Sequence, residues 1–236
     1  MPNNSSPLKI AATSGYGASI TFSGPTSPER EAALNQILTT TGARFIPPYN
    51  HPHIILGAGT AALELLSQVP PHITLNGIIT PIGGGGLLSG TALTCSTTST
   101  LVFGAEPTLS GTDDCTRAFQ SGTHIPTVPA STTIADGLRT PVGLLPWSII
   151  HTRKLVHSVY RVSEDEIKAA LRLVWERMKI VVEPSAVVGL AVALFNEEFR
   201  GLVEREAGEK GWDLGVVFSG GNVSLEVVAG LFAEGG

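Results

Sequence analysis

A chain of 236 residues, 42% hydrophobic, 15% charged and carrying a formal net charge of −5, is long enough to bury a large core. It has no Lys/Arg cluster and the wrong net sign for a phosphate backbone, so nucleic acid is set aside as a partner. Its apolar runs are short and interrupted, and its first residues, MPNNSSPLK, lack a basic-then-apolar leader. A cytoplasmic protein without a membrane span is therefore expected.

In chain order, ASITF at 18–22 reads as a short strand. Ser27 offers an N-cap with Pro28 at N1, for a helix running to about Gly42. ARFIPP at 43–48 is expected as the next strand, and the prolines, Asn50 and two histidines that follow as a crossing between subdomains. GTAALELLSQVP puts Ala62, Leu65, Leu66 and Val69 at helical spacing. GIITPI (77–82) and TLVFGA (100–105) read as apolar strands on either side of a glycine loop and its helix. Cys95 and Cys115 have no His at zinc-ligand spacing and are expected as buried or half-buried thiols.

Residues 107–148 hold few periodic runs and many Gly, Pro, Thr and Asp, the composition of loop-rich ground. Ser163 and Glu166 form a capping box before a helix with Ile167, Leu171, Val174 and Met178 on one face. PSAVVGLAVALF at 184–195 is apolar all round and predicts a helix buried between layers. LGVVF at 214–218 reads as a central strand running into SGGN. The alternation of strand-like and helix-like segments predicts an α/β architecture with a largely parallel sheet.

The stretch TPIGGGGLLSG, residues 80–90, sets four glycines between a strand and a helix start. Backbone N–H groups at a helix N-terminus point at a bound anion, and glycine lets the backbone approach it closely. A tight turn is the alternative, but turns seldom need four glycines. A nucleotide P-loop would continue Gly-Lys-Ser/Thr, whereas this loop continues Leu87, Leu88, Ser89. The dinucleotide fingerprint needs a third glycine at a position held here by Leu88 or Ser89. Glu106, beyond the next strand, keeps a nicotinamide reading open as a minor alternative.

TPIGGGGLLSG and VVFSGGNVS together resemble the phosphate loop and C-terminal loop of the serine racemase and serine/threonine dehydratase family of fold-type II pyridoxal-phosphate enzymes. GYGASITFSGP, GTAALELLSQVP, AEP followed by DDC, TIADGLRT and WERMKIVVEPSA extend the resemblance, in the family's order, over essentially all 236 residues. It implies a tryptophan synthase β-like fold: an open, mostly parallel twisted sheet with helices on both faces and an incomplete small domain. Residues 1–50 would be the remnant of the small substrate domain, and 51–236 the C-terminal part of the large cofactor domain.

The same resemblance assigns roles. Gly83, Gly84, Gly85 and Gly86, with the Leu87 amide, would hold the phosphate of pyridoxal 5′-phosphate. Ser219 would donate to the pyridine nitrogen, which favours elimination and racemisation over transamination. Gly137 would line the ring, with Glu183 nearby. Glu106 and Asp114, with a backbone carbonyl near Thr112, resemble a divalent-cation site suited to Mg²⁺ or Ca²⁺. The loop EPTLSGTDDC is longer here by about two residues than the family's, so two solvated acids remain an equal alternative.

The family's serine-x-lysine motif and its S-x-G-N-H-G substrate loop are not found. None of Lys9, Lys154, Lys168, Lys179 and Lys210 stands in a comparable context. The expectation is a chain short of roughly the family's first third, a poor catalyst alone, and an oligomer or a partner of a full-length paralogue. Three functions follow: a dehydratase or racemase acting at Cα of a small 3-hydroxy amino acid; a non-catalytic cofactor-binding subunit; and, least favoured, a dinucleotide oxidoreductase.

Overall fold

The computed structural model describes residues 1–129 and 131–233. Two compact units emerge, one formed by Met1–Ile46 with the chain from Asn222 onward, the other by Pro47–Gly221.

The first unit is helical. Ser6 caps α1 (Pro7–Gly15), and α2 (Ser27–Thr41) opens on a capping box that pairs Thr26 with Glu29. The cap is thus Thr26, one residue before the Ser27 expected, because the carboxylate needed at the third helical position is Glu29. Gly42, left-handed at φ 65, ends α2 as the sequence predicts. ASITF and ARFIPP do not form strands. Extended backbone becomes a strand only when its N–H and C=O groups are paired, and near ASITF the structure has one isolated bridge, Pro2 to Ser23. A last helix, α10 (Leu225–Phe232), belongs to this unit and is capped by Ser224.

The second unit is a parallel sheet of four strands in the order β3-β2-β1-β4, comprising β1 (Gly77–Pro81), β2 (Leu101–Pro107), β3 (Ser158–Val162) and β4 (Leu214–Val216). Every residue of β1 is buried, so both of its faces are covered. On one face, Ile78 meets α3 (Pro52–Gln68) and α4 (Gly86–Cys95) in the main core. Those two helices touch backbone to backbone: a Cβ on Gly90 would lie 2.5 Å from the Gly59 nitrogen. On the opposite face, Ile79 packs against Gly189 of α8 (Val188–Phe195), which the 3₁₀ turn Pro184–Val187 introduces. Phe103, paired with Ile79, gathers Tyr160, Trp212 and Phe199 of α9 (Glu197–Ala207) on that side.

LGVVF is an edge strand among the described residues, not a central one: β4 pairs with β1 alone, and its flanking residues are only half-buried. The region 107–148 carries two short helices, α5 (Asp114–Ser121) and α6 (Leu144–Trp147), the latter running on as a π-helical turn. The Ser163–Glu166 capping box opens α7 (Glu164–Leu173), which likewise ends in a π-helical turn at Val174–Met178. Strand β3 was not anticipated. Its Val159, Tyr160 and Val162 carry the β-branched and aromatic signal, but the run is only five residues long. Both cysteines are free and buried. Among the described residues, no helix is long and apolar enough to cross a membrane.

Candidate functional site

From β1 the chain passes through α4 to β2 on one side, while β4 lies on the other side of β1. The strand order therefore reverses between β1 and β4, and in open parallel sheets ligands sit beyond the carboxyl ends of the strands at such a point. The glycine loop follows β1 and SGGN follows β4. They are held side by side by the Val217 N–H, which donates to Ile79 O at 3.1 Å.

Each glycine of the loop answers a separate neighbour. Gly85 adopts φ 86 as the N-cap of α4, and a Cβ there would lie 2.8 Å from Pro146. A Cβ on Gly84 would fall 2.2 Å from the Tyr49 ring, and one on Gly83 would fall 3.0 Å from Gly137 O. Gly86 lies under Tyr49 as well. The loop is pinned further by the Gly143 N–H, which donates to Gly84 O at 3.1 Å. Protein packing is thus a second reason for the four glycines, beside anion approach. Glycine at the cap leaves α4 without a side-chain acceptor at its N-terminus. The first intrahelical bond recorded there is from Ser89 N to Gly85 O, so the N–H groups of Gly86 and Leu87 precede the helix's own acceptors. Such an end, in a ten-residue helix whose dipole adds positive charge, fits a phosphate.

Of the other predicted residues, Gly137, Glu183 and the SGGN loop come together. The Glu183 carboxylate lies against Gly220, where a Cβ would be 2.9 Å from its Oε1, and near Gly137. Glu183 N donates to Gly220 O at 3.1 Å. Ser219 is exposed. Ser185, which sequence reasoning passed over, is buried and its Oγ accepts from Gly137 N at 3.0 Å. Tyr49 and Asn50 were also missed as site residues. Asn50 Oδ1 accepts from Leu145 N at 3.0 Å, and only the tertiary fold brings this turn to the glycine loop. The five lysines lie elsewhere along the chain: Lys9 in α1, Lys168 in α7, Lys210 in a 3₁₀ turn, and Lys154 and Lys179 at left-handed positions following the two π-helical turns.

Glu106 and Asp114 form a separate buried pair, so they are not solvated acids. Glu106 is 1% exposed and faces the start of α5: its Oε1 accepts from Cys115 N at 3.0 Å, and its Oε2 from Thr116 N and Oγ1 at 2.8 Å each. Burial first, then the Asp114 carboxylate, pushes the Glu106 carboxyl up to about 8. Burial also raises Asp114 to about 6, although its Oδ2 accepts from Val142 N at 3.1 Å. Thr112 is buried, with its hydroxyl donating to Leu109 O at 2.7 Å. With its carboxylate engaged by α5, Glu106 does not present itself to a ribose, which removes the footing of the dinucleotide reading. Two buried carboxylates with raised pKa values are oxygen donors of the kind a hard divalent cation takes. Among the described residues, no group of three or more His, Cys, Asp or Glu gathers as a metal cluster, so backbone oxygens or water would supply the remaining ligands.

Comparison with known proteins bears on this geometry. The sequence profile of the family described as pyridoxal-phosphate dependent enzyme matches residues 1–209. The rat serine racemase is 41% identical over 95% of this chain, and the β-hydroxyaspartate dehydratase of Paracoccus denitrificans is 39% identical over 96%. The structure of maize serine racemase superposes with a TM-score of 0.86 at 36% identity, covering 99% of this chain and 68% of the maize chain. The chain spans 64% of the length of the rat protein. A parallel sheet with helices on both faces, a phosphate-ready glycine loop at its topological switch and this breadth of similarity agree: the chain belongs to the family of pyridoxal-phosphate-dependent enzymes.

Proposed function

We propose that the crevice between the glycine loop and SGGN binds pyridoxal 5′-phosphate, and that the protein acts at Cα of a small 3-hydroxy amino acid as a dehydratase or racemase. The observation that carries this reading is the uncapped N-terminus of α4 beside the Glu183–Gly137–Gly220 contact. When bound, the cofactor supplies a sink for the electron pair released as the Cα–H bond breaks. The amides of Gly83 to Leu87 hold its phosphate. The Ser219 hydroxyl donates to the ring nitrogen and, being a neutral donor, leaves that nitrogen without a proton. Gly137 gives the ring room, and Glu183 sets the spacing between the IADGL and SGGN turns. Glu106 and Asp114 hold Mg²⁺ or Ca²⁺ outside the crevice. Serine and β-hydroxyaspartate, which name the two relatives, share an oxygen on the β-carbon, and this supports the substrate class.

A second reading is favoured by the lysine positions: the chain binds the cofactor reversibly and works beside a chain that supplies the lysine. Exposed Leu56 and Leu63 on α3, both about 60% accessible, and the open edge of β4 give such a partner a surface. A spectrum of the purified chain with pyridoxal phosphate, before and after L-serine, separates the two. Under the first reading, borohydride fixes the cofactor to a lysine and L-serine changes the spectrum. Under the second, dialysis removes the cofactor intact. No saturable binding at all would overturn both.

A further inference from the structure

The segment between α6 and β3 carries an unusual backbone beside its contribution to the core through Ile149 and Ile150. After Trp147 the helix widens into a π-helical turn, Ser148–Thr152, and Lys154 then takes a left-handed conformation at φ 53. Both are uncommon for ordinary residues, and both tend to mark places where the chain serves something other than its own packing. What they shape is a cavity of about 410 Å³ lined by Phe119, Ile150, His151, Lys154, Val156 and His157. That volume lies in the range of small-molecule sites.

The lining divides into two kinds. Half-buried Phe119 and the buried Ile150 and Val156 form its apolar floor, while His151, Lys154 and His157 offer N–H donors, and none of the six is acidic. Among the described residues, no carboxylate pairs with Lys154. The His151 ring is held in place, stacked on Trp147 at 4.5 Å and 5° and edge-on to Phe119 at 6.0 Å. His157 meets Phe103 edge-on at 5.2 Å. The cavity lies at the amino ends of β2 and β3, where His157 N donates to Val102 O at 2.8 Å. The glycine loop and SGGN lie at the carboxyl ends, and of the cavity's lining Ile150 reaches that loop, its Cδ1 3.5 Å from where a Cβ on Gly85 would stand.

We propose that this cavity is a second ligand site, for a small organic anion with a flat apolar body. Its carboxylate or phosphate is held by Lys154 and the histidine N–H groups, and its body rests on Phe119, Ile150 and Val156.

The test is a titration of the full chain at constant ionic strength, followed through the ring resonances of His151 and His157. Phenyl phosphate and phenylacetate are the whole probes, inorganic phosphate the charge alone, and benzyl alcohol the body alone. The expected result is saturable movement of both histidines with at least one whole probe, about tenfold tighter than with either half. Whichever whole probe binds names the headgroup. Lys154→Asn, which keeps a residue tolerant of the left-handed backbone, weakens that binding by about tenfold. His157→Gln is the second variant should Lys154→Asn disturb the turn. Three results would each overturn the proposal: a half probe binding as tightly as the whole, unchanged affinity in the variant, or histidine signals that do not move.

Discussion

The glycine loop and the Glu106–Asp114 pair are two answers to the problem of holding charge inside a protein. In the loop, backbone N–H groups at the start of α4 lack side-chain acceptors, and the protein offers partial positive charge that only a ligand completes. At the acid pair, the carboxylates are already engaged: the N–H groups of α5 satisfy Glu106. What is left over there is net negative charge, which burial converts into raised pKa values. An unfilled amide end is tolerated because amides stay neutral. Two buried carboxylates have to find a proton or a cation.

The largest effect expected to break this contrast is that of Glu106→Ala. It strands Cys115 N, Thr116 N and Thr116 Oγ1 without an acceptor, and about 3 kcal/mol or more of stability should be lost, read from the midpoint of urea unfolding. Next comes pH. Glu106 stands raised from 4.5 to about 8, so between those values the folded protein holds more protons than the unfolded chain. Stability in cation-free buffer is therefore greatest at the acid end of that window and falls as pH rises through it, by on the order of a few kcal/mol. Added Ca²⁺ should flatten the fall, and Glu106→Gln should remove its part above about pH 6, leaving the part due to Asp114. A thermal-melt series across the window reads both.

On the other side of the comparison, Gly85→Ala puts a side chain at φ 86 against Pro146. It should cost about 1–2 kcal/mol for the backbone alone and weaken pyridoxal phosphate binding more than it weakens the fold, as a cofactor titration beside a melt would reveal. The smallest expected stability change is that of Ser219→Ala at its exposed position, within about 0.5 kcal/mol. Its effect should be confined to the absorbance and affinity of the bound cofactor.

Legibility in the sequence followed how local the determining physics was. The Ser163–Glu166 capping box and the strands flanking the loop depend on neighbouring residues, and they form where the pattern puts them, while the apolar run at 184–195 opens as a 3₁₀ turn and becomes an α-helix at Val188. ASITF and ARFIPP have strand composition but join no strand among the described residues, and strand identity is a property of two segments rather than one. The same reason hid the edge position of β4. In the site, SGGN and the glycine loop were visible as motifs. Tyr49, Asn50 and Ser185 were not, since each acts through contact with a segment distant in sequence.

The strap at Val142–Gly143 joins the two charge sites. Its first N–H is bonded to Asp114, its second to the carbonyl of Gly84, and the Val142 side chain touches the space beside Gly85. Two adjacent peptide groups thus report to the Glu106–Asp114 pair on one side and to the glycine loop on the other. Any shift in the strap that improves one hydrogen bond is felt by the other, and thermodynamic reciprocity then requires the effect to run both ways. If a cation at Glu106 and Asp114 tightens the hold on pyridoxal phosphate, the cofactor must tighten the hold on the cation by the same factor.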